Sequence, residues 1–196
     1  MAKRILIVDG HPDPDPARLC HALADAYARG ADDAGAEVRV IRIAELDFPM
    51  LRSAAAFEHE APVAEIAAAQ GDLAWAQHLL IVYPLWLGSM PALLKGFLEQ
   101  LLRPGFAVPA SEARQSAWTS MLSGRSARVV VTMGMPAFVY RWFFFAHSLR
   151  SLQRNILRFC GISPIRTTLI GAVGAMDQRR ARRWIERLER LGQQTS

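Results

Sequence analysis

The sequence predicts an α/β protein in which a doubly wound, five-stranded parallel sheet carries helices on both faces. Three observations lead there. The runs "RILIVDG", "AEVRVIRI", "HLLIVYP", "ARVVVTMG" and "IRTTLIGAV" are β-rich and mostly apolar throughout, as strands buried between two helix layers are. Segments of helical periodicity separate them, and the order βαβαβαβαβα implies parallel strands joined by right-handed crossovers. A chain of 196 residues, 52% hydrophobic and 21% charged, suits one domain, residues 1–196, with a sizeable core.

The elements follow in order. Strand one, residues 4–10, passes through a proline-rich loop into a helix at 17–34. Strand two, 36–43, is followed by the long connection 44–61 and a helix at 62–77. Strand three, 78–84, bends into a helix at 91–102 with Pro91 at its first position. After a second long connection, 103–126, come strand four at 127–134, an aromatic helix at 141–160 and strand five at 165–173. In the last helix, 177–191, Asp177 is the expected cap and Gly192 the C-cap residue, while Ala181, Trp184, Ile185, Leu188 and Leu191 share a face.

Composition narrows the function. The net charge is +5, but residues 1–124 are net −5 and residues 125–196 net +10, and only Lys3 and Lys95 among 23 basic residues are lysines. With no recognised binding motif or interleaved aromatics, the basic stretch "DQRRARRWIERLERLG" reads as the solvated face of a packed helix, so no nucleic-acid partner is expected. Apolar runs fall short of a membrane span, and "MAKRILIVDG" enters a strand without a signal-peptide core, so a cytoplasmic location without membrane insertion is expected. Cys20 and Cys160 alone suggest two reduced thiols and no metal site.

Ligands of open α/β sheets bind beyond the carboxyl ends of the strands, where the winding reverses. Three such ends stand out. In "DGHPDPDPARLCHALADAY" the helix start at Arg18, Leu19 and Cys20 offers backbone N–H groups to a phosphate, with charge from Arg18 and a donor from His11. The same Asp9, His11 and Asp13 also serve to satisfy a turn. There is no Walker A or G-x-G-x-x-G pattern, which disfavours an ATPase or a standard dinucleotide site.

The second end is "YPLWLGSMPALLKGFLEQLL", where Pro84, Leu85, Trp86, Leu87 and Gly88 would form a wall of exposed amides and apolar side chains. Such a wall suits a flat aromatic ligand with polar edges, such as an isoalloxazine; a lone Trp under a loop is the plainer alternative. In the third, "VTMGMPAFVYRWFFFAHSL", Thr132, Met133 and Gly134 form a turn that lets backbone approach a ligand closely. Tyr140 and His147, seven apart, would share a helix face as hydrogen-bonding groups within an aromatic cluster.

Together "GHPDPD", "PLWLGSMPALLKGF" and "TMGMPAFVYRWFFFAH" resemble the flavodoxin-like NAD(P)H:quinone oxidoreductase family across nearly the whole chain. The resemblance implies a flavodoxin-like fold, a flavin with FAD favoured over FMN, and NAD(P)H as co-substrate. Flavin phosphate is then bound by His11 and the first helix, and the isoalloxazine lies along Pro84 to Gly88 and under Thr132 to Gly134. Tyr140 and His147 are the implied catalytic residues, and a small-molecule acceptor takes two electrons in a ping-pong cycle. A homodimer is implied too, with segment 138–149 packing across a two-fold axis. Two departures stand out: Ala17 or Arg18 and Cys20 replace the Ser and Asn common at the helix entry, and Val108, Pro109 and Ala110 occupy the place of substrate-facing tyrosines. Other readings are a flavin-bearing ancillary subunit of a membrane transporter and an interaction module that kept the fold without the flavin.

Overall fold

The structure, a computed structural model, describes residues 2–109 and 120–195. Ala110 lies outside the described residues. The five strands are β1 (Arg4–Asp9), β2 (Glu37–Arg42), β3 (His78–Pro84), β4 (Ser126–Thr132) and β5 (Ile165–Ile170), each within a few residues of its predicted ends. All are parallel, in the order β2-β1-β3-β4-β5. Winding therefore reverses between β1 and β3, and their carboxyl ends open a crevice there.

Period-two alternation splits the core into two layers. Ile5, Ile7, Leu80, Val82, Val130 and Ile170 face α1 (Leu19–Asp33) and, through Leu188, the last helix. Leu6, Val8, Leu79, Ile81, Val129 and Val131 face the opposite way, towards α3 (Ala64–Trp75) and α4 (Ala92–Leu101). Strand β3 is buried along its whole length, which is why its sequence is a continuous apolar run.

Helix ends depart from expectation where local chemistry decides. Pro91 is the N-cap of α4 and not its first helical residue. Within the connection 44–61 the chain forms a 3-10 turn and a short helix, α2 (Ala54–Glu58), capped by Ser53 Oγ accepting from the Ala56 N–H at 3.0 Å. Asp177 caps the final helix, α7 (Gln178–Gln193), accepting from the Arg180 N–H at 2.7 Å. Gly192 is not a C-cap. It lies inside α7 because α1 passes so close that a Cβ there would stand 2.2 Å from the Tyr27 carbonyl oxygen, and one on Gly30 would stand 1.9 Å from that of Glu189.

The helix expected at 141–160 is broken in the structure. Helix α5 (Ala137–Trp142) stops, the chain turns, and α6 (His147–Ser151) continues as a π-helix over Leu152–Arg158. Phe145 and Ala146 are left-handed, with φ of 52° and 48°, and the Ala146 N–H donates to the Tyr140 carbonyl at 3.0 Å. Four consecutive aromatics, Trp142 to Phe145, cannot share one buried face, and all four stay exposed.

Among the described residues no helix is long and apolar enough to cross a membrane, and no group of His, Cys, Asp and Glu could hold a metal ion. Cys20 and Cys160 are both free and buried.

Candidate functional site

A cleft of about 620 Å³ lies over the carboxyl ends of β1, β3 and β4. Of the twelve residues expected to hold a cofactor, ten line it: His11, Arg18, Leu19, Cys20, Pro84, Leu85, Trp86, Thr132, Met133 and Gly134. Leu87 and Gly88 do not.

On the β1 side the loop is built around a buried carboxylate. Asp9 has no solvent exposure, and its Oδ2 meets His21 Nδ1 at 2.5 Å and Arg42 at 3.1 Å, while Arg42 also holds Asp25 at 2.7 Å. The other nitrogen of His21 lies 2.9 Å from the Asp13 carbonyl oxygen. Both ring nitrogens thus face acceptors, so the ring is an imidazolium donating twice. Burial pushes its pKa down, but the Asp9 bond and the Asp13 carbonyl outweigh that, and the net shift is upward. His11 beside it, 5.4 Å between ring centroids, is shifted down, first by burial and then by the His21 charge.

Helix α1 opens into the cleft without a side-chain cap and without an acid in its first turn. The leading N–H groups of a helix have no intrahelical acceptor, so this end attracts an anion. Arg18 contributes less charge than expected, since its guanidinium is held by Asp13 at 2.7 Å and Asp15 at 3.3 Å. The Cys20 thiol touches Thr132 Oγ1 at 3.3 Å, tying α1 to the tip of β4, and burial raises its pKa to about 12. It is a neutral packing group there.

The bend after β3 differs from the expected wall of free amides. The Leu85 N–H donates to the Thr132 carbonyl at 2.7 Å, and Trp86 and Ser89 exchange backbone bonds at 2.9 Å across a two-residue turn. Leu87 and Gly88 at its tip are left-handed, with φ of 46° and 78°, the conformation of a tight primed turn. Only these two amides lie free of those bonds, and they sit at the tip, where the Leu87 side chain is fully exposed. The indole of Trp86, half-exposed, meets His11 edge-on at 6.0 Å and forms the ridge between the first cleft and a second concavity of about 740 Å³.

His147 and Leu87 line that second concavity, with Ser148. Tyr140 lines neither. It is buried in the core, its hydroxyl 2.8 Å from Ser148 Oγ and accepting the Leu149 N–H at 3.2 Å. The expected shared face with His147 does not exist, because the turn at Phe145 and Ala146 interrupts the helix.

Thr132 and Met133 are buried while Gly134 is exposed, and a Cβ on Gly134 would meet no heavy atom within 4 Å. The β4 turn thus leaves open space where a flat group can approach backbone. The cleft's donor set comprises an uncapped helix start, an imidazole and an aromatic edge, and it suits a flavin phosphate joined to a ring system. Val173, Gly174, Met176, Ala181 and Ile185 complete the lining from the β5–α7 side. Sequence reasoning missed these, and also His21 and Arg42; the "GAVGAMD" glycines after β5 and the second histidine of "DGHPDPDPARLCH" were the available signals.

Several known proteins are similar. A protein of Haemophilus influenzae named an uncharacterized NAD(P)H oxidoreductase is 29% identical over 57% of this chain and 54% of its own, so the match spans little more than half of that relative. NAD(P)H:quinone oxidoreductase from Methanothermobacter marburgensis superposes with a TM-score of 0.82, covering 100% of this chain and 98% of that one at 18% identity. An FMN-dependent NADH-azoreductase from Bacillus anthracis, in complex with FMN, gives 0.76 over 100% and 99% at 15% identity. The expected preference for FAD finds no support in these neighbours. Residues 3–193 match the Flavodoxin_2 family, described as having a flavodoxin-like fold, and the chain belongs to it.

Proposed function

We propose that this protein is a flavin-dependent NAD(P)H oxidoreductase whose acceptor is a quinone or a similar small molecule. The observation that carries the reading is the convergence of three strand ends and the uncapped start of α1 on one cleft with space beside Gly134. His11 and the N–H groups at Leu19 and Cys20 bind the flavin phosphate. Trp86, Leu85 and Met133 flank the ring and exclude water from it. The flavin, once bound, supplies reversible hydride acceptance from the nicotinamide and two-electron delivery to the acceptor.

Donor and acceptor use one place in turn, a ping-pong cycle, and the second concavity beyond Trp86 is that place. His147 is exposed there and exchanges protons with the acceptor, while Tyr140 acts through the Ser148 hydroxyl that it orients. The exposed aromatics Phe138, Trp142, Phe143, Phe144 and Phe145 support a homodimer, since a run of large apolar side chains left uncovered on one chain is an association surface. The similar proteins named for NAD(P)H chemistry support the donor.

Heat release of the chromophore from purified protein, its identification by chromatography, and NADH and NADPH oxidation against a panel of quinones test the reading. A colourless protein that takes up no flavin and oxidises neither nucleotide would refute it.

A further inference from the structure

The loop after β1 and the first turn of α1 hold two histidines, His11 and His21, in opposite roles. His11 lines the cleft, and among the described residues its Nε2 has no protein partner while its Nδ1 stands 3.1 Å from the Asp13 N–H and 3.2 Å from the Asp13 carbonyl oxygen. Those two contacts demand opposite tautomers. A backbone N–H can only donate, so it requires a bare Nδ1; a carbonyl oxygen can only accept, so it requires Nδ1–H. The balance is tipped by His21, whose Nε2 already satisfies the Asp13 carbonyl oxygen at the shorter distance of 2.9 Å, whereas Nδ1 of His11 is the acceptor that the Asp13 N–H has. Because the oxygen keeps a donor either way and the N–H would lose its acceptor, Nδ1 of His11 is the acceptor and its proton sits on Nε2.

His21 is itself held for the task. Its other nitrogen meets the wholly buried Asp9 at 2.5 Å, and Asp9 is fixed by Arg42 at 3.1 Å and by the His11 N–H at 3.3 Å. The charges facing His21 are thus Asp9 from β1 and Arg42 from the end of β2, with the His11 ring beside it.

We propose that His21, anchored by Asp9, is a positioning residue that clamps the Asp13 carbonyl and thereby fixes His11 as an Nε2–H donor to an anionic group in the cleft. This rests on the flavin reading for the identity of the anion, a phosphate monoester, but not for the tautomer. Without the clamp the Asp13 oxygen is free to draw the proton to Nδ1, and the cleft then presents a bare nitrogen that repels an anion.

Two neutral variants separate the clamp from a packing role. In His21→Gln the amide nitrogen takes the place of Nε2 and keeps the bond to Asp13; in His21→Asn it takes the place of Nδ1 and keeps only the bond to Asp9. Long-range ¹H–¹⁵N NMR of the apo-protein reads the His11 tautomer directly, and titration with FMN and with riboflavin reads its consequence. Expected are the Nε2–H form in wild type and His21→Gln and the Nδ1–H form in His21→Asn. FMN affinity falls about tenfold in His21→Asn alone, the loss of one hydrogen bond to a charged group, and riboflavin affinity stays within about twofold. A His11 that is Nδ1–H in wild type, or two variants that behave alike, would overturn the proposal. If wild type binds neither flavin, the flavin reading fails and the tautomers alone decide the clamp.

Discussion

The Tyr140 hydroxyl stands 2.8 Å from Ser148 Oγ and accepts the buried Leu149 N–H at 3.2 Å, so it bridges the end of α5 to α6 across the left-handed turn. Tyr140→Phe keeps the ring in the core and removes that acceptor. An unpaired buried N–H costs about 1–3 kcal/mol. For a chain of this size the melting temperature should fall by about 2–12 °C. Flavin affinity should stay unchanged, since Tyr140 does not line the cleft. A variant that melts with wild type would show that Leu149 finds another partner.

Leu87 presents the opposite case. Its side chain is fully exposed and its φ is 46°, a conformation that costs a non-glycine residue about 1–2 kcal/mol. Leu87→Gly should therefore raise the melting temperature by about 2–4 °C, since no packing is lost. If the variant also oxidises NAD(P)H more slowly, the strain is retained for contact with ligand or partner.

His78 makes stability fall in acid. Burial, followed by the charges of Lys3, Arg128 and Arg166, lowers its pKa from 6.5 to about 4. Between those values the unfolded chain binds the proton and the folded one does not, so this stabilisation is complete above pH 6.5 and lost as pH falls towards 4, on the order of 3 kcal/mol in all. His21 has the opposite sign: its raised pKa gives stabilisation present below 6.5 and lost as pH climbs through the folded value. Denaturant titrations at a series of pH values should show a shallower acid limb in His78→Gln than in wild type. Parallel limbs would mean that His78 is not the buried neutral base.

Strands were legible because burial on both faces writes a continuous apolar run, as in "HLLIVYP", and every strand lies within a few residues of its expected ends. The gathering of His11, Leu19, Trp86 and Met133 on one cleft followed from parallel topology alone, which sends all strand tips the same way. What stayed hidden depends on contacts distant in sequence. The bonds from Leu85 to Thr132 and from Trp86 to Ser89 use amides that looked free, and Arg18 is drawn onto Asp13 and Asp15. The break at Phe145 defeats helical periodicity because no stretch of pattern marks where a helix stops when neither Gly nor Pro is present. His21 reads as one more polar residue on a helix until the fold brings Asp9 and Arg42 to it.

Asp15 offsets the charge of Arg18 at the mouth of α1, and its Oδ1 separately accepts the Ala17 N–H at 2.9 Å. Asp15→Asn keeps that acceptor and removes the charge. On the flavin reading, affinity for FMN should rise about 2- to 5-fold at low salt, the scale of one exposed ion pair, and the gain should shrink in 0.5 M salt, where such charges are largely screened, as about 0.3–1 kcal/mol does. Equal affinity at low salt would place the phosphate away from Arg18.

Occupancy of the cleft beside the β4 turn by flavin is tested most directly at Gly134. A Cβ there would have no heavy atom within 4 Å, so Gly134→Leu should fold and melt like wild type while extending into the open space. Fluorescence titration of both apo-proteins with FMN is the measurement. Saturable quenching is expected with wild type, and an affinity at least about tenfold weaker with Gly134→Leu, a loss of about 1.4 kcal/mol or more. Equal binding by the two proteins, or no binding by wild type, would contradict flavin occupancy of the cleft.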